Sequence, residues 1–120
     1  MKDMKLGVIE TRFAEIIWEN APLSTNQLFK LCTEKLEWKR TTTYTVLKKL
    51  CDKGIFKTEN SMVTALISKQ EFEGMQSEQF VEETFGGSLP AFIAAFASSK
   101  QLSVDEIKEI RKMMDSFEEE

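Results

Sequence analysis

The chain has 120 residues, of which 42% are apolar and 30% are charged, a composition typical of a folded globular protein. It contains no histidine and only two cysteines, Cys32 and Cys51. These counts exclude a disulfide framework, most metalloenzymes and most hydrolases, so we expect no metal, no cofactor and no enzymatic activity. Without a membrane-length apolar run or a signal peptide, we expect a cytoplasmic protein with no membrane insertion.

The net charge of −4 hides a division along the chain. Residues 1–70 hold 12 Lys and Arg against 8 Asp and Glu, whereas residues 71–120 hold 4 against 12, giving +4 and −8. The first part is therefore suited to a polyanion and the second is not. The alternative explanation for this division of charge is ordinary compositional scatter.

Three helices are predicted first. Glu10, three residues after the N-cap candidate Gly7, favours a helix that starts after Gly7 and runs to about Asn20. Ser24 and Gln27 form a capping box for a second helix, and a third is expected from about Arg40 to Lys53, ended by Gly54. The predicted inward positions follow helical spacing: Ile9, Phe13, Ile16 and Ile17, then Leu28, Leu31 and Cys32, then Val46, Leu47 and Leu50.

Two β-prone runs follow, residues 55–58 and 62–67, separated by the polar turn Glu59-Asn60-Ser61. Three helices and a hairpin predict a winged helix-turn-helix whose third helix is the recognition helix. The fold class is therefore mainly α with a small β-hairpin. We expect a winged-helix domain over residues 1–70 and a helical dimerisation domain over residues 71–120.

The second part contains three further helical patterns. The first ends at Gly86-Gly87, the second begins with Ser88 and Pro90, and the third opens with a capping box at Ser103 and Glu106. A second copy of the chain would cover their wide apolar faces, and the positions proposed for dimerisation are Leu89, Phe92, Ile93, Phe96, Ile107, Ile110 and Met114. The alternative is that these helices fold back onto the winged helix of a monomer.

A threonine-rich and lysine-rich stretch lies on the third predicted helix. With Val46 and Leu50 inward, the other face carries side chains suited to base edges and phosphates. The candidate DNA-binding residues are Lys39, Arg40, Thr41, Thr42, Thr45, Lys48 and Lys49. The alternative interpretation of this stretch is an ordinary solvated helix face. These features favour a DNA-binding protein, with a winged-helix module that binds only protein as the competing hypothesis.

The sequence resembles the penicillinase repressor and methicillin-resistance repressor family over almost its whole length. The residues that carry the resemblance are Glu10, Ile16-Ile17-Trp18, Trp38, Thr42, Thr45, Leu50, Lys53-Gly54, Gly86-Gly87, Leu102-Ser103 and Glu106-Ile107. The resemblance implies a homodimeric repressor on a palindromic double-stranded operator, with β-lactam resistance genes as candidate targets. Residues 64–67 lack the family's wing aromatics, and the cysteine cluster of its copper-responsive branch is absent.

The resemblance also implies a candidate cleavage site for a regulatory protease. The family's Asn-Phe bond corresponds to Ala95-Phe96 in this chain, so the Phe is kept and the Asn is replaced. We favour the alternative that Phe96 is simply a core residue of an amphipathic helix. Release would then occur in another way, or through a protease of different preference. The cysteines are interpreted as small buried apolar residues, with a redox role for Cys51 left open.

Overall fold

The computed structural model describes residues 3–119. The elements are α1 Val8–Asn20, β1 Leu23–Ser24, α2 Thr25–Leu36, α3 Arg40–Asp52, β2 Phe56–Glu59, β3 Met62–Ala65, α4 Lys69–Phe85, α5 Leu89–Ser99 and α6 Val104–Glu118. They form two compact units, one extending to Phe80 and the other beginning at Val81. This division falls inside α4, and the domain boundary at residue 70 remains a prediction.

Local hydrogen bonds begin α1 and α2 where the sequence predicts. The Glu10 carboxylate accepts a hydrogen bond from the Gly7 N–H at 3.0 Å. Ser24 and Gln27 form the expected reciprocal box, with distances of 2.8 Å and 3.1 Å. Gly54 follows α3 with φ 82°, the left-handed conformation that glycine adopts without steric cost. The winged-helix fold class is confirmed.

The wing belongs to a three-stranded antiparallel sheet with the order β1-β3-β2. Glu59 pairs with Met62, so the predicted three-residue turn is wrong. Only Asn60 and Ser61 form it, with φ of 52° and 61°, as in a two-residue hairpin turn. The sequence analysis missed β1, in which Leu23 pairs with Val63, because a two-residue strand has no periodicity to detect.

The core of the first unit is formed by the inward faces of α1, α2 and α3, the sheet, and the start of α4. Phe13, Ile17, Leu28 and Leu50 are fully buried, but Ile9 is 47% exposed, so its predicted inward position is wrong. In the first turn of α1, the residue next to α3 is Glu10, whose carboxylate pairs with Lys49. The α1 core face therefore begins one turn later than the sequence pattern predicted.

Capping side chains also define the helices of the second unit. Ser88 accepts a hydrogen bond from the Ala91 N–H, and Ser103 and Glu106 form the predicted capping box. The Phe92 ring contacts the rings of Phe85 and Phe96, with ring centroids 5.6 Å and 6.2 Å away. No residue of α5 or α6 that the structure describes is buried. Within a single chain, this unit leaves most of its apolar side chains in contact with solvent.

Candidate nucleic-acid interface

The side chains predicted to bind DNA lie on α3 and the residue before it. All seven are exposed: Lys39, Arg40, Thr41, Thr42, Thr45, Lys48 and Lys49. They are held there because Leu47 and Leu50 are buried on the opposite side of the helix. We call these seven residues the α3 face. The structure thus gathers them on one surface, and their role in binding remains a prediction.

Unlike the other threonines of this stretch, Thr43 is fully buried. Its hydroxyl donates to the Lys39 carbonyl at 3.2 Å, which satisfies the polar group inside the core. Burial raises the pKa of the adjacent Cys32 thiol, and the hydrogen bond with Thr43 opposes that shift. Cys32 is fully buried, consistent with its interpretation as a core residue. The spacing of Thr43 from Leu47 and Leu50 was a signal that could have identified it as inward.

Arg40 is held at the junction of α2 and α3 by two contacts. Its guanidinium donates to the Asn26 side-chain oxygen at 2.8 Å and lies 4.8 Å from the centre of the Phe29 ring. A cation over an aromatic face is attracted by the ring quadrupole. The side chain is therefore positioned before any ligand binds, while its residue remains exposed.

Two lysines at the C-terminal end of α3 and just after it already have partners within the fold. Lys49 forms an ion pair with Glu10 at 2.7 Å, and this contact lowers the pKa of the Glu10 carboxyl. Lys53 donates to the Asp3 backbone carbonyl at 2.8 Å. By contrast, the side chains of Lys39 and Lys48 have no ion-pair or hydrogen-bond partner within residues 3–119. Lys39 and Lys48 are therefore the lysines of the α3 face most readily available to phosphates.

Tyr44 is a further exposed residue that the sequence analysis did not select. Its side chain is 60% exposed and borders two shallow clefts, one with Arg40 and Thr41 and the other with Lys48 and Cys51. A large exposed aromatic within a predicted recognition helix is a signal that could have identified it. Its ring lies where a molecule docked on the α3 face would contact it.

On the wing, the charge of Lys57 is neutralised by Glu59 on the same strand. Lys57 and Glu59 form an ion pair at 2.6 Å on β2, with both side chains more than half exposed. The Lys57 ammonium lowers the pKa of the Glu59 carboxyl. Cys51, half-buried, lies 3.6 Å from the Thr58 hydroxyl at the base of the same strand.

The second unit exposes the apolar residues predicted for dimerisation. Phe92 is half-buried, and the others are 38% to 47% exposed: Leu89, Ile93, Phe96, Ile107, Ile110 and Met114. The candidate cleavage residues Ala95 and Phe96 lie inside α5, where the Ala95 carbonyl accepts from the Ser98 hydroxyl at 2.9 Å. Dimerisation and cleavage both remain predictions.

Two further features of the described residues concern metal binding and membranes. Residues 3–119 contain no group of three or more Cys, Asp or Glu side chains placed to hold a metal ion. None of the helices in that range is both long and apolar enough to cross a membrane.

The fold and the α3 face define a winged-helix protein with an appended helical segment, the architecture of many transcriptional regulators. Comparison with known proteins identifies the family more narrowly. The penicillinase repressor family model matches residues 6–116. The chain therefore belongs to the penicillinase repressor family, and its role is that of a transcriptional repressor.

Individual relatives are similar along nearly their whole length. The penicillinase repressor of Bacillus licheniformis is 24% identical over 110 residues, covering 88% of this chain and 86% of that protein. The methicillin resistance regulatory protein MecI of Staphylococcus aureus strain Mu50 is 24% identical over 117 residues, covering 94% and 95%. The penicillinase repressor of Staphylococcus aureus is 22% identical over 120 residues, covering 97% and 95%. These relatives are regulatory proteins and not enzymes.

Proposed function

We propose that this chain is a homodimeric, non-enzymatic repressor of the cytoplasm that binds a palindromic DNA operator through the α3 face. The observation that carries the proposal is the α3 face itself, where exposed threonines lie beside exposed lysines on one helix. Lysines neutralise phosphates without reading sequence, whereas threonine hydroxyls and methyl groups can contact base edges. The combination suits sequence-selective binding in a major groove.

The proposed dimer is supported by the apolar surface of the second unit. Leu89, Ile93 and Phe96 lie along α5, while Ile107, Ile110 and Met114 lie along α6, and all six remain exposed in one chain. Burial of such a surface against a second copy is favourable, because apolar area is removed from water. A twofold dimer would present two α3 faces, which matches the symmetry of a palindrome.

The decisive experiment is selection of duplexes from a random pool by the wild-type protein, followed by anisotropy measurements on the enriched sequence. We expect an inverted repeat to be enriched and its affinity to fall in the double variant Thr42→Ala/Thr45→Ala. Lys30→Ala serves as the control, because Lys30 is exposed on α2 and lines a different cleft with Asn20 and Pro22. A pool with no enriched sequence would instead favour the module that binds only protein.

From the similarity to a penicillinase repressor and a methicillin resistance regulatory protein, we propose β-lactam resistance genes as the regulated targets. If so, deletion of the repressor gene should raise the transcripts of neighbouring resistance genes. Unchanged transcripts in the deletion strain would assign the repressor to a different set of genes.

For release from DNA, we propose a route other than cutting at Ala95-Phe96. That bond lies in continuous helix, and the Asn of the family's bond is replaced by Ala95. A helical bond must open locally before a protease can bind it in extended form. A regulatory protease with a different preference remains compatible with this proposal.

A further inference from the structure

Residues Asp3 and Met4, which we call the N-terminal strap, are bound to α4 by two glutamine side chains. The Gln79 side-chain oxygen accepts from the Met4 N–H at 2.8 Å, and its amide nitrogen donates to the Asp3 carboxylate at 2.8 Å. One turn earlier, the Gln76 amide donates to the Met4 carbonyl at 3.0 Å. The strap therefore contacts α4 through the Met4 backbone and the Asp3 side chain.

The same strap also contacts the end of α3. The Lys53 ammonium donates to the Asp3 backbone carbonyl at 2.8 Å, and Lys53 directly follows the last residue of α3. The Met4 side chain is buried in the core of the first unit. The strap is thus a bridge of hydrogen bonds and apolar contact between the recognition helix and α4.

Gln79 is an unusual residue to find buried. It is only 7% exposed, although glutamine is mostly found at protein surfaces. Burying an amide is costly unless its polar atoms are bonded, and here both its oxygen and its nitrogen have strap partners. The hydrogen bond from Gln79 also lowers the pKa of the Asp3 carboxyl, which keeps that acceptor ionised. An apolar side chain would fill the same position without holding the strap in one register.

We propose that Gln79 is a positioning residue which, through the N-terminal strap, fixes α4 relative to α3 and thereby sets the operator half-site spacing that the dimer accepts. The inference rests on the proposed function, because it concerns how two α3 faces engage one operator. Gln79 lies two residues before Val81, where the second unit begins on the same helix. The strap therefore holds α4 immediately before the segment that contains the residues proposed to dimerise.

The test exchanges the donor and acceptor of the Gln79–Asp3 hydrogen bond. Gln79→Glu keeps an acceptor for the Met4 N–H but places a carboxylate against the Asp3 carboxylate. The double variant Gln79→Glu/Asp3→Asn restores the bond, because the new amide donates to the new carboxylate. Gln70→Leu is the control for a substituted glutamine on α4, since Gln70 is exposed near the start of the helix. Each full-length protein is titrated with one half-site and with inverted repeats of graded spacing.

We expect Gln79→Glu to bind one half-site within about twofold of wild type, because the α3 face is untouched. Its affinity for the optimal repeat should fall by about tenfold or more while the other spacings change little, because a looser α4 lowers the effective concentration of the second half-site. The double variant should regain the wild-type spacing profile. Protection of the Met4 amide from hydrogen exchange should be lost in the single variant and return in the double variant.

Three outcomes would overturn the inference. An unchanged spacing profile in Gln79→Glu, with wild-type binding intact, would show that the strap does not position the dimer. Equal losses on the single half-site and on every repeat would show a general structural role. Failure of the wild-type protein to bind any duplex would refute the proposed function, and this inference with it.

Discussion

Thr45 and Lys48 lie three residues apart on the α3 face, but they would contact different parts of a DNA duplex. We expect Lys48→Ala to weaken binding to all sequences and to reduce the slope of log affinity against log salt by about 0.9, since one phosphate contact is lost. Thr45→Ala should mainly relax base preference at one position, costing roughly 1 kcal/mol there. Anisotropy titrations at several salt concentrations, on the selected operator and its single-base variants, measure both effects.

Lys30→Ala is the matched control for lost positive charge, and its salt slope should remain that of wild type. Wild-type behaviour of both Thr45→Ala and Lys48→Ala, in affinity and in base preference, would remove the α3 face as the DNA-binding surface.

The Glu10–Lys49 ion pair leads to a second expectation at the residue scale. Glu10→Gln removes the charge that neutralises Lys49, so DNA affinity should rise and the salt slope should steepen by about 0.9. Because Lys49 is more than half exposed, the pair should stabilise the fold by no more than about 1 kcal/mol. Parallel DNA titrations and urea denaturation at pH 7 measure both effects.

The pH dependence of this stabilisation follows from the lowered pKa of Glu10. A carboxylate with a depressed native pKa stabilises the fold above its unfolded pKa of about 4.3, and that contribution is lost as pH falls through the native pKa. The stability difference between wild type and Glu10→Gln should therefore be full at neutral pH and vanish under acid conditions. A difference that grows toward low pH would contradict this assignment.

At the scale of elements, the helical conformation of α5 at the Ala95-Phe96 bond opposes cleavage there. The Phe96 carbonyl accepts from the Lys100 N–H at 2.9 Å, so the helix continues in ordered form past this bond. We expect immunoblots of cells taken before and after β-lactam exposure to show no fragment ending near Ala95. A band of that size, confirmed by mass spectrometry, would show that the family's route of release is conserved despite the lost Asn.

At the scale of the whole molecule, the main question is which surface joins two chains. Ile107→Asp would bury an unpaired charge in the proposed interface, which destabilises an assembly by about 3–5 kcal/mol. Sedimentation should then show a monomer at micromolar concentration where wild type is a dimer, with operator affinity falling as the second half-site contact is lost.

Ser116→Asp adds the same charge to α6 at an exposed residue outside the apolar positions, so it should remain dimeric. A wild-type protein that sediments as a monomer would rule out the α5 and α6 surface as a dimer interface.

The sequence by itself determined the features that depend on neighbouring residues. The capping boxes at Ser24 and Ser103, the stop at Gly54 and the exposed α3 face were all predicted correctly. Such features are local because a cap joins residues three apart and a helix face repeats every three or four residues. The family resemblance was likewise carried by short motifs, among them Lys53-Gly54 and Leu102-Ser103, and the family match over residues 6–116 confirmed it.

Only the tertiary structure decided which distant residues meet. The ion pair of Glu10 with Lys49 joins residues 39 positions apart in the chain, and the neighbouring Ile9 is exposed. The hydrogen bonds of the buried Gln79 with Asp3 and Met4 join residues more than 70 positions apart. Strand β1 forms only because Leu23 pairs with Val63 at the edge of β3. Periodicity cannot predict these contacts, because each depends on how separate elements pack. Burial of a polar side chain is favourable only when a hydrogen-bond partner, here from a distant part of the chain, satisfies it.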